Sequence, residues 1–159
     1  MKSLKRTSFV MVIFLILSLS TGIMAQVPSP TVEDEIIALT YKLWKAENES
    51  DMAFRNKHVS DDYTEFNASY STRIDGRTKN FTLSDANFSG GTSLADEMLN
   101  PKVQVFGDVA VLTYNFAGVV KDKDGKTNNS KAKSTRVYVK MNGEWMLVHA
   151  NFGFDPANN

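Results

Sequence analysis

Arg136 and His149 stand on either side of an Asn142-Gly143 pair, each six residues from its nearer member. Asn-Gly between two alternating runs marks a two-residue hairpin, because both turn positions need positive φ and these residues tolerate it. That turn pairs Lys140 with Trp145, Tyr138 with Leu147, Arg136 with His149 and Ser134 with Asn151 on one face of the hairpin. The opposite face, Val139 with Met146, Val137 with Val148 and Thr135 with Ala150, reads as core. Closing the preceding hairpin at Asp124-Gly125 sets Thr113 opposite Arg136 and Asn115 opposite Ser134. The expected result is a polar patch of Asn115, Ser134, Arg136, His149 and Asn151. A guanidinium offers a rigid fork of donors to a carboxylate, and its charge disfavours protonation of an adjacent imidazole. Such a patch points to a pocket for an anionic or polar organic molecule. The competing reading is a solvated sheet face, which antiparallel sheets commonly leave wet; Trp145 and Leu147 on the same face count against it.

Other chemistries find little support. The chain has no cysteine, so disulfides, thiol nucleophiles and thiolate metal sites are excluded. Asp122-Lys123-Asp124-Gly125 lacks the further carboxylate and the bidentate Glu of a calcium loop, and reads as a hairpin turn. His58 and His149 are the only histidines, with no carboxylate cluster in sequence around either. No Gly-rich phosphate loop or nucleophile elbow occurs. No catalytic residue, metal ligand or cofactor is therefore assigned. Lys+Arg and Asp+Glu number 18 each; Lys2, Lys5 and Arg6 lie in residues 1–25, which have no acid, so the remainder carries 15 basic against 18 acidic residues. A mildly acidic domain is ill suited to nucleic acid, which demands clustered cations.

The elements that must position these residues follow from patterning. Residues 1–25 combine a basic start, an apolar run from Phe9 to Leu17 and a small-residue end at Ala25, the plan of a cleaved signal peptide. The run is too short to span a membrane, so an exported, periplasmic or extracellular protein free of the membrane after cleavage is expected. Residues 26–30 form a spacer, 31–154 one domain and 155–159 a tail. Val32, Ile36, Leu39, Leu43 and Ala46 recur at helical spacing behind a Thr31/Asp34 capping box, which predicts a helix to about Glu49. A second helix is expected over Met52 to His58, a turn at Ser60-Asp61-Asp62, and a strand from Tyr63. Thr82 to Phe88 reads as a helical turn. Strands then follow over Lys102 to Phe106, Val109 to Lys121, Ala132 to Met141 and Glu144 to Phe154. Helix first, then hairpins, is an α+β layout.

Asn100-Pro101-Lys102-Val103-Gln104-Val105-Phe106-Gly107-Asp108, Ser134-Thr135-Arg136-Val137 and Gly143-Glu144-Trp145-Met146-Leu147-Val148-His149 together resemble SnoaL-like domains. Within the nuclear transport factor 2-like superfamily they are most similar to the association domain of calcium/calmodulin-dependent protein kinase II, over roughly Thr31 to Phe152. The resemblance implies a cone-shaped α+β fold: a long N-terminal helix closing over a strongly curved, mainly antiparallel sheet, a pocket in the cone, and homodimerisation through the sheet. It also implies a pocket role for the Thr-Arg-Val arginine, here Arg136, and for the Trp-x-x-Val-His histidine, here His149. The family's second histidine is replaced by Asn151. Tyr41, Trp44 and Tyr63 would supply apolar walls. Similarity to ketosteroid isomerases, through Asp61-Asp62-Tyr63-Thr64, places Asn67 where their general base stands. An amide cannot accept that proton, which favours binding over catalysis. An isomerase- or cyclase-type enzyme lacking that aspartate, or a pure oligomerisation module, are the alternatives.

Overall fold

The computed structural model describes residues 29–88, 92–122 and 124–155. The expected signal peptide, most of the spacer and all but Asp155 of the tail lie outside them. Helix α1 (Val32–Asn48) begins at the predicted capping box: the Thr31 hydroxyl accepts from the Asp34 amide while the Asp34 carboxylate accepts from Thr31. Ile36, Leu39, Leu43 and Trp44 are the buried stripe of this helix. They pack on Ala110, Leu112, Tyr114, Tyr138 and Leu147 of the sheet, and each large aliphatic side chain so buried contributes about 1.5–3 kcal/mol. The one polar residue in that stripe, Thr40, is satisfied by the Ile36 carbonyl and the Tyr138 hydroxyl, at 2.8 and 2.7 Å.

Helix α2 (Met52–His58) passes directly into β1 (Val59–Asn67), so Ser60, Asp61 and Asp62 are extended rather than the expected turn. The short β2 (Ile74–Asp75) pairs with β1, and Gly76, at φ 91°, leads into α3 (Arg77–Phe88). This helix is a full turn and more longer than the expected Thr82 to Phe88. Strand β3 (Thr92–Phe106) starts ten residues before the expected Lys102. Pro101 is tolerated because β3 is an edge strand, and Asn100, at φ 50°, accompanies a register shift between Leu99 and Lys102. Strands β4 (Val109–Lys121), β5 (Thr127–Met141) and β6 (Glu144–Phe154) complete one curved sheet of order β2-β1-β6-β5-β4-β3. All neighbours are antiparallel except β1 and β6.

Two departures from the expected register decide which side chains meet. The β5–β6 turn is as predicted, with Asn142 and Gly143 at φ 52° and 85°, and pairing holds from Met141–Glu144 to Tyr138–Leu147. A bulge then intervenes: Val137 pairs with His149, Arg136 with Ala150 and Ser134 with Phe152. An extra residue in one strand exchanges the faces of everything beyond it. At the β4–β5 end, Lys121 pairs with Thr127 because the Asp122 carboxylate accepts from the Asp124 and Lys126 amides, making a loop wider than Asp124-Gly125 alone. Arg136 consequently faces Leu112, and Asn115 faces Lys133.

Candidate functional site

Between α1, α3 and the concave face of the sheet lies a cavity of about 340 Å³. Its apolar wall is largely aromatic: Trp44, Tyr63, Phe81, Tyr114, Phe116 and Phe152. Trp44 organises part of that wall, with its ring 5.6 Å from Tyr114 and 5.4 Å from Phe116.

Arg136 projects into this space from the middle of β5 and is only 6% exposed. Its Nε donates to the Tyr114 hydroxyl at 3.0 Å, and its guanidinium carbon lies 5.2 Å from the centre of the Phe152 ring. No carboxylate stands within ion-pair distance of it among the described residues. Burial opposes its charge and the oxygens of Tyr114, Tyr138 and Tyr63 favour it, so its pKa lies above the ordinary value; at neutral pH those phenols are uncharged, and none of them is a counter-ion. The other buried cation of the cavity, Arg55, differs. It pairs with Asp85 at 2.8 Å and lies over the Phe81 ring at 3.9 Å, so its charge is already answered.

Across the cavity Glu65 is also buried, at 6% exposure. Its carboxylate accepts from the Tyr63 hydroxyl at 2.7 Å, Asn80 Nδ2 at 2.9 Å and Asn67 Nδ2 at 3.0 Å. Burial first, and then the Glu65 charge, raise the Tyr63 phenol well above its usual pKa, so it stays a donor. Asn67 therefore serves the neighbouring carboxylate, while its Oδ1 accepts from the Ser69 amide.

Of the residues singled out from sequence, Arg136, Tyr63 and Trp44 line the cavity. Asn115, His149 and Asn151 do not, because the bulge and the wider loop turn them to the outer, convex face. There His149 Nδ1 meets Thr64 Oγ1 at 2.8 Å, and its ring stands edge-on to Phe66, so the expected Arg136–His149 neighbourhood does not form. Asn115 and Asn151 border a shallow outer depression with Thr113, Lys133 and Thr135. Tyr41 flanks Trp44 at 5.0 Å, but it is 41% exposed and its hydroxyl accepts from the Met98 amide at the helix–β3 seam. The sequence reading assigned no role in the cavity to Glu65, although alternation put it on the face of Asn67, nor to Asn80. Alternation in Tyr63-x-Glu65-x-Asn67 was the available signal, since it sends all three to one face.

The family profile of the calcium/calmodulin-dependent protein kinase II association domain matches residues 32–152. The calcium/calmodulin-dependent protein kinase type II of Caenorhabditis briggsae is 32% identical over 63 residues, which are 39% of this chain and 12% of the kinase. The chain thus matches only a small part of that relative's length. Among solved structures, the association domain of the Caenorhabditis elegans kinase superposes with TM-score 0.64 at 24% identity, covering 75% of this chain and 92% of that one. A nuclear transport factor 2-like superfamily protein of Salmonella enterica serovar Typhimurium gives 0.67 at 16% identity, over 80% and 93%. At these identities the superpositions establish the cone-shaped α+β fold.

Proposed function

Since the chain belongs to the calcium/calmodulin-dependent protein kinase II association domain family, we propose that it is an exported member whose cone binds a small organic anion and whose sheet carries self-association. The observation that carries the ligand reading is Arg136: a buried guanidinium in an aromatic cavity, without a carboxylate partner among the described residues. A buried charge left without a counter-ion is costly. A ligand carboxylate or comparable oxyanion supplies the missing charge, and the Arg fork donates two parallel bonds to it. The aromatic wall accommodates the apolar body behind that head.

The assembly reading rests on the convex face. Val109 and Val111 of β4, Val137 and Val139 of β5, and Met146 and Val148 of β6 are only partly covered there, and Phe66 is 49% exposed. A contiguous apolar patch of this kind favours a second copy over water. Export follows from residues 1–25, whose cleavage leaves Gln26 at the N-terminus.

Native mass spectrometry of the full chain expressed in an exporting host tests all three parts. The expected spectrum is a homodimer starting at Gln26 and retaining an acidic small molecule that is absent from the Arg136→Ala variant. Retention of the same mass by Arg136→Ala removes Arg136 from the site. A monomer at micromolar concentration removes the sheet interface.

A further inference from the structure

Asn142-Gly143 is the only Asn-Gly pair in the chain, and it forms the tip of the β5–β6 hairpin. Both residues are exposed, with φ of 52° and 85°, and a Cβ at Gly143 would meet nothing within 4 Å. Neither the Asn142 carboxamide nor the Gly143 amide has a hydrogen-bond partner among the described residues. An electrophilic carbonyl and a backbone nitrogen flanked by no side chain are thus adjacent, solvated and unengaged. Other asparagines differ. Asn48, Asn67, Asn80 and Asn128 donate to carboxylates. Asn115 and Asn151 lie within strands, each followed by a phenylalanine whose side chain crowds the nitrogen. Asn142 must leave its left-handed conformation before that nitrogen can reach Cγ. The closing pair Met141–Glu144 is exposed on both strands, and such tips open far more readily than the molecule unfolds.

We propose that Asn142 is a self-modification site, converting without an enzyme to aspartate or isoaspartate, and that the isoaspartate form loosens the hairpin at Trp145. Gly143 N, having lost its proton to hydroxide, bonds to Asn142 Cγ. The Cγ–Nδ2 bond breaks, and Nδ2 leaves as ammonia with a proton from water. Water then opens the cyclic imide at either carbonyl. Breaking the new N–Cγ bond gives aspartate; breaking the old peptide bond leaves isoaspartate, with the chain routed through the side-chain methylene.

Aspartate still suits this turn. The longer backbone of isoaspartate does not, because a two-residue loop fixes the register of the pairs behind it. Those pairs are Met141–Glu144 and then Lys140–Trp145. Trp145 is 7% exposed, and its Nε1 donates to Glu35 of α1 at 3.1 Å. Slack at the turn therefore reaches the helix that covers the sheet.

The test ages the intact protein at 37 °C and pH 7 or 8. Its tryptic digest is then mapped by mass spectrometry with electron-transfer fragmentation, which tells isoaspartate from aspartate. The expected result is an amide-to-acid mass gain at Asn142 ahead of the other described asparagines. It is about tenfold faster at pH 8, because the attacking nitrogen is the deprotonated one. Asn142→Gly, whose Gly-Gly turn keeps both positive φ values, gains no isoaspartate at that position. The separated isoaspartate form has a lower urea midpoint than both the parent and Asn142→Asp. An Asn142 still amidated after weeks at pH 8, or converting no sooner than Asn151, overturns the site. Equal midpoints for the isoaspartate form and the parent overturn the loosening at Trp145.

Discussion

Replacing Arg136 by methionine separates a residue kept for ligand from one kept for the fold. In the absence of ligand the change loses the Nε–H bond to Tyr114 and the contact with Phe152. Those losses are worth about 1.5–3 and 0.5–2 kcal/mol, respectively. Against them stands the desolvation of a guanidinium that is 6% exposed and has no acidic partner among the described residues, several kcal/mol even after relaxation. Methionine retains much of the buried stem volume. The balance predicts an unliganded variant as stable as the parent or about 1 kcal/mol more stable, a rise of about 2–4 °C in Tm for a chain of this size. Ligand reverses the order. With an acid at a hundred times its Kd the parent gains about 2.7 kcal/mol and the variant gains nothing. Urea denaturation followed by tryptophan fluorescence, with and without 3-phenylpropionate, reads both quantities. A loss of more than about 2 kcal/mol in the unliganded variant refutes the reasoning, because the tyrosine cluster would then need Arg136 as a structural post. Equal stabilisation of both proteins by the acid refutes it from the other side.

Two further outcomes follow from buried hydroxyls. Thr40→Val keeps the shape of α1 but removes the partner of the Tyr138 hydroxyl; it should cost about 1–3 kcal/mol in urea denaturation without changing acid binding. Burial raises the pKa of Tyr138, and burial with the Glu65 charge raises that of Tyr63, from the usual 10.0. The unfolded chain therefore binds fewer protons than the native one above pH 10, so stability is flat through neutral pH and falls as pH rises past 10. Urea midpoints between pH 8 and 11 check this, and the fall should be shallower in Tyr63→Phe.

Local signals were legible in the sequence and non-local ones were not. Thr31 with Asp34, the helical repeat through Leu43 and the Asn142-Gly143 turn are each decided within a few residues, and α1, α2 and the tip of the last hairpin are as expected. The bulge after Leu147 has no such signature, since Met146 to Ala150 reads as uninterrupted strand. It accompanies the sheet's curvature and the parallel docking of β1 on β6, a contact across more than eighty residues. A strand has period two, so this single residue moved His149 and Asn151 to the other face while leaving Arg136 inside. Asn115 changed face for the same reason at the wider β4–β5 loop. Glu65 was legible in principle from its alternation with Tyr63. Its partner Asn80 was not, because only the start of α3 at Arg77, well before Thr82, carries that amide over the cavity.

The same bulge puts Arg136 and His149 on opposite faces of the sheet, and His149 tests whether the proposed roles of those faces are separate. Without the extra residue Arg136 would lie beside His149 and share a face with Thr64, because Thr64 pairs with His149. With it, Arg136 shares the row of Ala150 and Glu65, and His149 serves the outer face through Thr64 and Phe66. His149→Ala should therefore cost about 1 kcal/mol of stability through the lost Thr64 bond. It should weaken self-association, read by sedimentation velocity, and leave the affinity for 3-phenylpropionate within twofold. A tenfold loss of affinity in a folded His149→Ala variant would mean that the outer hydrogen bond to β1 sets the position of Glu65. The two faces would then be coupled through the β1–β6 seam, and assembly and binding could not vary independently.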